Sequence, residues 1–113
     1  MGTQLVDASD IEKQLIQLTA EHLRGNLSRG QLLKALRKNV LRMTQIRYCK
    51  LTGIGRNALI DIERDQGEPT EAIVNKAFAP FKLQPVMVRP DIEFLRRCID
   101  STAASSPDSE QVM

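Results

Sequence analysis

The chain has 113 residues, 42% of them apolar and only 4% aromatic, with no Trp. That is enough for one domain with an aliphatic core, which suits packed helices better than a β-sandwich. No apolar run approaches the ~18 residues of a membrane span. The opening residues lack the basic start and apolar block of a secretory signal. Two distant cysteines, Cys49 and Cys98, make neither a disulfide framework nor a metal site, so a reduced, cytoplasmic protein with both thiols free is expected.

Elements follow in chain order from caps and periodicity. Ser9 and Glu12 read as a capping box. Ile11, Leu15, Leu18 and His22 or Leu23 then recur on one helical face, predicting a helix over 10–24 that ends at Gly25. Ser28 and Gln31 form a second box before Leu32, Leu33, Leu36 and Val40, predicting a helix over 29–41. Thr44 is a good N-cap for a short helix that reaches Leu51 and stops at Gly53, where only glycine adopts the left-handed conformation cheaply. The next helix begins near Gly55 and runs through Glu63.

Residues 65–69 form a turn. Thr70 caps a helix carrying Ile73, Val74, Ala77 and Phe78 that stops before Pro80. Residues 83–88 are short and partly β-branched, and Pro85 and Pro90 confine them to an edge strand or an extended arm. Asp91 caps a last amphipathic helix with Ile92, Leu95 and Ile99. Residues 101–113 have the composition of a disordered tail. The expected organisation is an N-terminal helical extension (1–27), a central domain (28–83), a C-terminal arm plus helix (84–100) and the tail (101–113).

Charge is unevenly divided. Residues 28–64 hold nine basic side chains (Arg29, Lys34, Arg37, Lys38, Arg42, Arg47, Lys50, Arg56 and Arg64) against two acidic ones, Asp61 and Glu63. The remainder of the chain is near neutral or acidic. Such a concentration is the footprint of a polyanion-binding surface, with a merely solvated helix face as the plain alternative.

The two central helices are each about nine residues and are joined by a turn of about three. That is the spacing of a helix-turn-helix, in which the second helix is held across the first and presented outward. Cys49 stands where the two helices cross and a small side chain is needed. Ile54, Leu59 and Ile62 form the stripe that docks the second helix, which leaves Arg56, Asn57, Ile60, Asp61 and Arg64 facing out. Glu63 is expected to bond within its own domain.

As a spaced set, Leu36-Arg37-Lys38, Met43-Thr44-Gln45, Gly53-Ile54, Arg56, Leu59, Ile62-Glu63-Arg64 and Pro69 resemble the Cro/CI-like (Xre) family of helix-turn-helix regulators, over about residues 31–83. Thr52 departs from that pattern where an apolar residue is usual, Gly55 where a Ser or Thr cap is usual, and Asp65 where Gly is usual. The resemblance implies an all-α, lambda-repressor-like domain with an extra N-terminal helix. It also implies a short C-terminal segment, Val86, Met87 and Val88, that either pairs as a strand with a second copy or lies as an arm over it, with Ile92 and Leu95 sharing the dimer interface.

By the same resemblance, Arg56, Asn57, Ile60 and Asp61 contact bases in the major groove. Arg can grip guanine and Asn adenine with two hydrogen bonds each, worth roughly 1–3 kcal/mol of discrimination. Gln45, Arg37, Lys38, Lys50 and Arg64 hold phosphates, which supply affinity but no sequence information. The implied function is that of a sequence-specific repressor, binding an inverted-repeat operator on double-stranded DNA as a homodimer. The alternative is an antitoxin that binds a toxin protein and represses its own operon. A coactivator-like scaffold that reads no bases is a weaker third reading. No nucleophile–base pair or glycine-rich phosphate loop is present, so neither an enzyme nor a cofactor or metal is expected. His22 reads as a surface or interface residue, and no effector pocket is legible.

Overall fold

Six α-helices follow one another in the computed structural model, with no strand among the described residues, which are 8–87, 89 and 91–104. They are α1 (Ala8–Leu23), α2 (Arg29–Ala35), α3 (Gln45–Thr52), α4 (Arg56–Glu63), α5 (Glu71–Phe78) and α6 (Ile92–Ala104). Side-chain caps set most of the boundaries. Ser28 Oγ accepts from the Gln31 amide while Gln31 Oε1 accepts from the Ser28 amide, a complete capping box. Thr44 and Thr70 cap α3 and α5 through the amides three residues on. Asp91 Oδ1 accepts from the amides of Glu93 and Phe94 at the start of α6. Helix α1 already includes Ala8, so Ser9 lies inside it and is not its cap.

Two further expectations are corrected and a third is narrowed. The helix over 29–41 is divided, because after α2 the chain widens into one π-helical turn, Leu36–Val40, closed by the Leu41 amide donating to the Leu36 carbonyl at 3.0 Å. This turn turns both Leu36 and Arg37 inward. Next, residues 84–87 pair with no strand of their own chain, and of the two expected forms the described residues have that of the unpaired arm. Pro85 has no amide to donate, no strand lies beside the segment, and Val86 and Met87 stand exposed. Val88 lies outside the described residues. Finally, α6 runs on to Ala104, past the expected boundary at 100. Thr102, Ala103 and Ala104 include no helix breaker, and alanine is the strongest helix former. The rest of the expected tail, 105–113, and residues 1–7 lie outside the described residues.

The core is aliphatic with three aromatic rings. Leu32, Leu33, Leu36, Val40, Tyr48, Ile54, Leu59, Ile62, Val74, Ala77, Phe78 and Phe81 are buried, and Ile11, Leu15 and Leu18 of α1 pack against them. Helix α1 is thus part of the same packed body as α2 to α5. Helices α2 and α4 approach so closely that Gly30 leaves no room for a side chain. A Cβ there would stand 2.3 Å from the Ile62 carbonyl oxygen and 2.8 Å from that of Glu63. Asp65 locks the same junction. It takes a left-handed conformation (φ 55) just after α4, and its carboxylate accepts from the Ser28 hydroxyl at 2.5 Å and the Gly30 amide at 2.9 Å. That link gives Asp65 a use at the position where the family resemblance leads one to expect glycine.

Candidate nucleic-acid interface

Helices α3 and α4 are eight residues each, joined by the three-residue link 53–55. Gly53 closes α3 in the left-handed conformation (φ 83), its amide donating to the Cys49 carbonyl. Thr52 has a local explanation. Its hydroxyl donates to the Tyr48 carbonyl at 2.8 Å and lies 3.5 Å from the Ile54 amide, tying the end of α3 to the link. Gly55 is the N-cap of α4 and offers no side-chain acceptor, so the first amides of α4 have no capping bond. Ile54, Leu59 and Ile62 are all buried and dock α4 on the body, as their spacing predicts. Cys49 is half-buried against the core, and burial pushes its thiol up, the nearby Arg56 only partly opposing the shift.

The outward side of α4 carries Arg56, Asn57 and Asp61, all exposed, with Ile60 half-buried and Arg64 exposed at the C-cap. Arg56 and Asn57 occupy the first turn, next to the open amides. Asp61 is at the other end, its carboxylate lying toward Gly67 in the following turn. Lys38 and Lys50 are exposed.

Arg37 is a correction. It is only 5% exposed and therefore cannot grip a phosphate. Its Nε donates to Glu63 Oε2 at 2.6 Å, Nη2 to Glu63 Oε1 at 2.9 Å, and Nη1 to the Met43 carbonyl at 2.7 Å. The guanidinium is a clamp between the π turn, the loop before α3, and the last residue of α4. Gln45 joins it, with Nε2 donating to Glu63 Oε1 at 3.2 Å from the first residue of α3. Gln45 is half-buried, so one edge of its amide is engaged inside the domain.

Sequence reasoning assigned no contact to three exposed residues of this region, Asn39, Arg42 and Arg47. Lys38, Asn39, Arg42 and Thr44 line an open cleft of about 600 Å³ against the Arg37 clamp, at the start of α3. Arg42 stands exposed in a left-handed conformation (φ 55) between two helices. Arg47 is exposed on α3, and Asn39 on the π turn. The signal for Arg42 was its place in a basic run just ahead of a helix cap. Nothing marked Asn39. Because Arg37 and Glu63 neutralise each other inside, the other cations of residues 28–64 face solvent with Asp61 as the sole acidic side chain among them. The exposed surface of residues 28–64 is therefore strongly basic in composition.

His22 is half-buried, with its Nδ1–H donating to the Leu27 carbonyl at 2.8 Å, from the last turn of α1 to the link before α2. Among the described residues no three His, Cys, Asp or Glu side chains cluster as a metal site, and no helix is long and apolar enough to cross a membrane. Comparison with profiles of known protein families, with curated protein sequences and with solved structures gives no match.

Proposed function

We propose that the chain is a sequence-specific DNA-binding regulator of the Cro/CI-like helix-turn-helix type, a repressor that occupies an inverted-repeat operator as a homodimer. The observation that carries this reading is the presentation of α4. It is docked by three buried aliphatics behind a three-residue link and displays Arg56 and Asn57 in its exposed first turn. Lys38, Arg42, Arg47, Lys50 and Arg64 are exposed cations of the same central segment. Arg and Asn are the side chains whose paired donors and acceptors match the major-groove edges of guanine and adenine. The exposed cations supply the phosphate contacts that hold the register. In this reading Arg37, Glu63 and Gln45 act from behind, fixing the start of α3 relative to the end of α4.

Selection from a random duplex pool tests it, using the wild type and an Arg56→Ala, Asn57→Ala variant at physiological salt. The wild type is expected to enrich an inverted repeat, and the variant to lose that enrichment while keeping salt-dependent binding to any duplex. Equal, sequence-blind binding by both proteins defeats the base-reading assignment and turns the search to a protein partner such as a toxin.

A further inference from the structure

Two grooves open beside α1, and they differ in how their charges are paired. The smaller, of about 300 Å³, lies between α1 and α6. Its two arginines, Arg24 and Arg96, each pair with a glutamate three residues earlier, at 3.0 Å to Glu21 and 3.6 Å to Glu93, and Asp100 adds a further acid to the lining. The larger, of about 490 Å³, is walled by α1, α2, the end of α4, α5 and the chain from 83 to 86. Its lining is mostly apolar, with Leu23, Leu32, Val74, Phe78 and Leu83 in the walls. Small-molecule sites have this size and character, with a few polar groups to orient the ligand.

Three polar side chains of the larger groove have capacity to spare. Thr19 Oγ1 is shut off from solvent and has no hydrogen-bond partner among the described residues. Buried hydroxyls are normally partnered. His22 spends Nδ1 on the Leu27 carbonyl, and its Nε2 has no partner among the described residues. Arg29, exposed at the start of α2, forms no ion pair among the described residues, and a guanidinium keeps its charge.

One acidic side chain, Asp65, shares the lining. Its two carboxylate oxygens accept from the Ser28 hydroxyl and the Gly30 amide, which commits it to the junction of α2 and α4 and leaves Arg29 unpaired. The same bonds hold the turn after α4 in place as a wall of the groove.

We infer that this groove binds a small monocarboxylic acid, its carboxylate held by Arg29 and the Thr19 hydroxyl and its aliphatic body laid against Leu32, Val74 and Phe78. The lining permits one negative charge. A phosphate or a dicarboxylate brings a second one against Asp65, an amine meets Arg29, and an alcohol leaves the guanidinium unpaired. None of the residues assigned to DNA lines this groove, so the site is independent of base reading.

Titration of the full chain with octanoate below its micellar concentration, followed by amide chemical shifts, tests the site. Saturable shifts are expected at Thr19, His22, Leu32, Val74 and Phe78, and none in α3. Octanol is expected to bind about tenfold more weakly than octanoate, the worth of one charge-assisted contact. Arg29→Gln should weaken octanoate by about the same factor, leave octanol unchanged and so erase the preference. Arg97→Gln, exposed on α6 outside the groove, should alter neither. Thr19→Val removes only the unpartnered hydroxyl. It should melt no lower than the wild type without ligand, yet bind octanoate more weakly. Shifts that do not saturate, equal affinity for octanoate and octanol, an Arg29→Gln variant that keeps the preference, or a Thr19→Val variant with undiminished affinity overturns the proposal. Absence of shifts in a chain that sediments as a dimer also overturns it and assigns the groove to a second copy.

Discussion

Arg37 shows how much a single residue's role depends on what stands opposite it. In a basic run it reads as one more phosphate ligand. In the folded chain it is buried against Glu63, and its charge is spent on the junction of three segments. Replacing Arg37 by Met leaves the Glu63 carboxylate buried without its partner and is expected to destabilise the protein by about 3–5 kcal/mol, measured by denaturant unfolding. The double variant Arg37→Met, Glu63→Leu should lose clearly less than the sum of the single changes. The salt slope of DNA binding separates this role from a phosphate contact. Lys38→Ala should lower it by about 0.9, and Arg37→Met should leave it unchanged.

Tyr48 is the other residue whose role the fold decides. It is fully buried in α3, its ring stacked 6.4 Å from Phe81, and its hydroxyl donates to the Ala77 carbonyl. Burial, reinforced by the Glu63 charge and opposed by Arg37, raises the phenol far above the usual value near 10. The folded state therefore prefers the protonated phenol. The associated stability is fully present below pH ~10 and falls by about 1.4 kcal/mol per unit as pH rises further. Tyr48→Phe should cost about 1–3 kcal/mol at neutral pH through the unpaired Ala77 carbonyl, and should flatten that alkaline fall. Thermal unfolding followed from pH 7 to 11 reads both effects.

At the scale of elements, closeness of approach matters more than propensity. Gly30 sits in a helix, where glycine is unfavourable by roughly 0.5–1 kcal/mol relative to alanine. An exposed Gly→Ala change would therefore be stabilising. Here the Cβ would meet two backbone oxygens of α4, which cannot swing aside like a side chain. Gly30→Ala is expected to destabilise by about 1–3 kcal/mol or more, by forcing α2 away from α4. Gly53→Ala meets nothing and should cost only the strain of the left-handed backbone, about 1 kcal/mol. A Gly30 variant as stable as the wild type in urea melts would mean that α2 and α4 are not this close in solution.

For the whole molecule, the core and the C-terminal arm and helix expected at the dimer interface are separable. The buried cluster ends at Phe81, with Leu83 packed on its edge, and among the described residues none of α6 belongs to it. A chain ending after Leu83 is expected to unfold cooperatively, with stability changed less than by Arg37→Met, yet to sediment as a monomer and bind an inverted repeat more weakly. Collapse of that truncated chain would show that α6 is part of the body and not an appendage held for a partner.

The local elements were legible because their determinants are local. Ser28 with Gln31, Thr44, Gly53, Thr70 and Asp91 set helix ends through atoms within a few residues, and the spacing of Ile54, Leu59 and Ile62 fixed the inward side of α4. The outward side, Arg56, Asn57 and Asp61, followed from the same period. What the sequence could not specify depended on partners far along the chain. The Arg37–Glu63 clamp spans 26 positions and the Tyr48–Ala77 bond 29. The Gly30–Ile62 approach and the grooves beside α1 likewise exist only once helices distant in sequence pack. A buried and an exposed arginine look alike in a run of letters. Only the tertiary structure decides which one meets a carboxylate in a dry interior and which one keeps its charge in water, because burial is a property of the packed body and not of the residue.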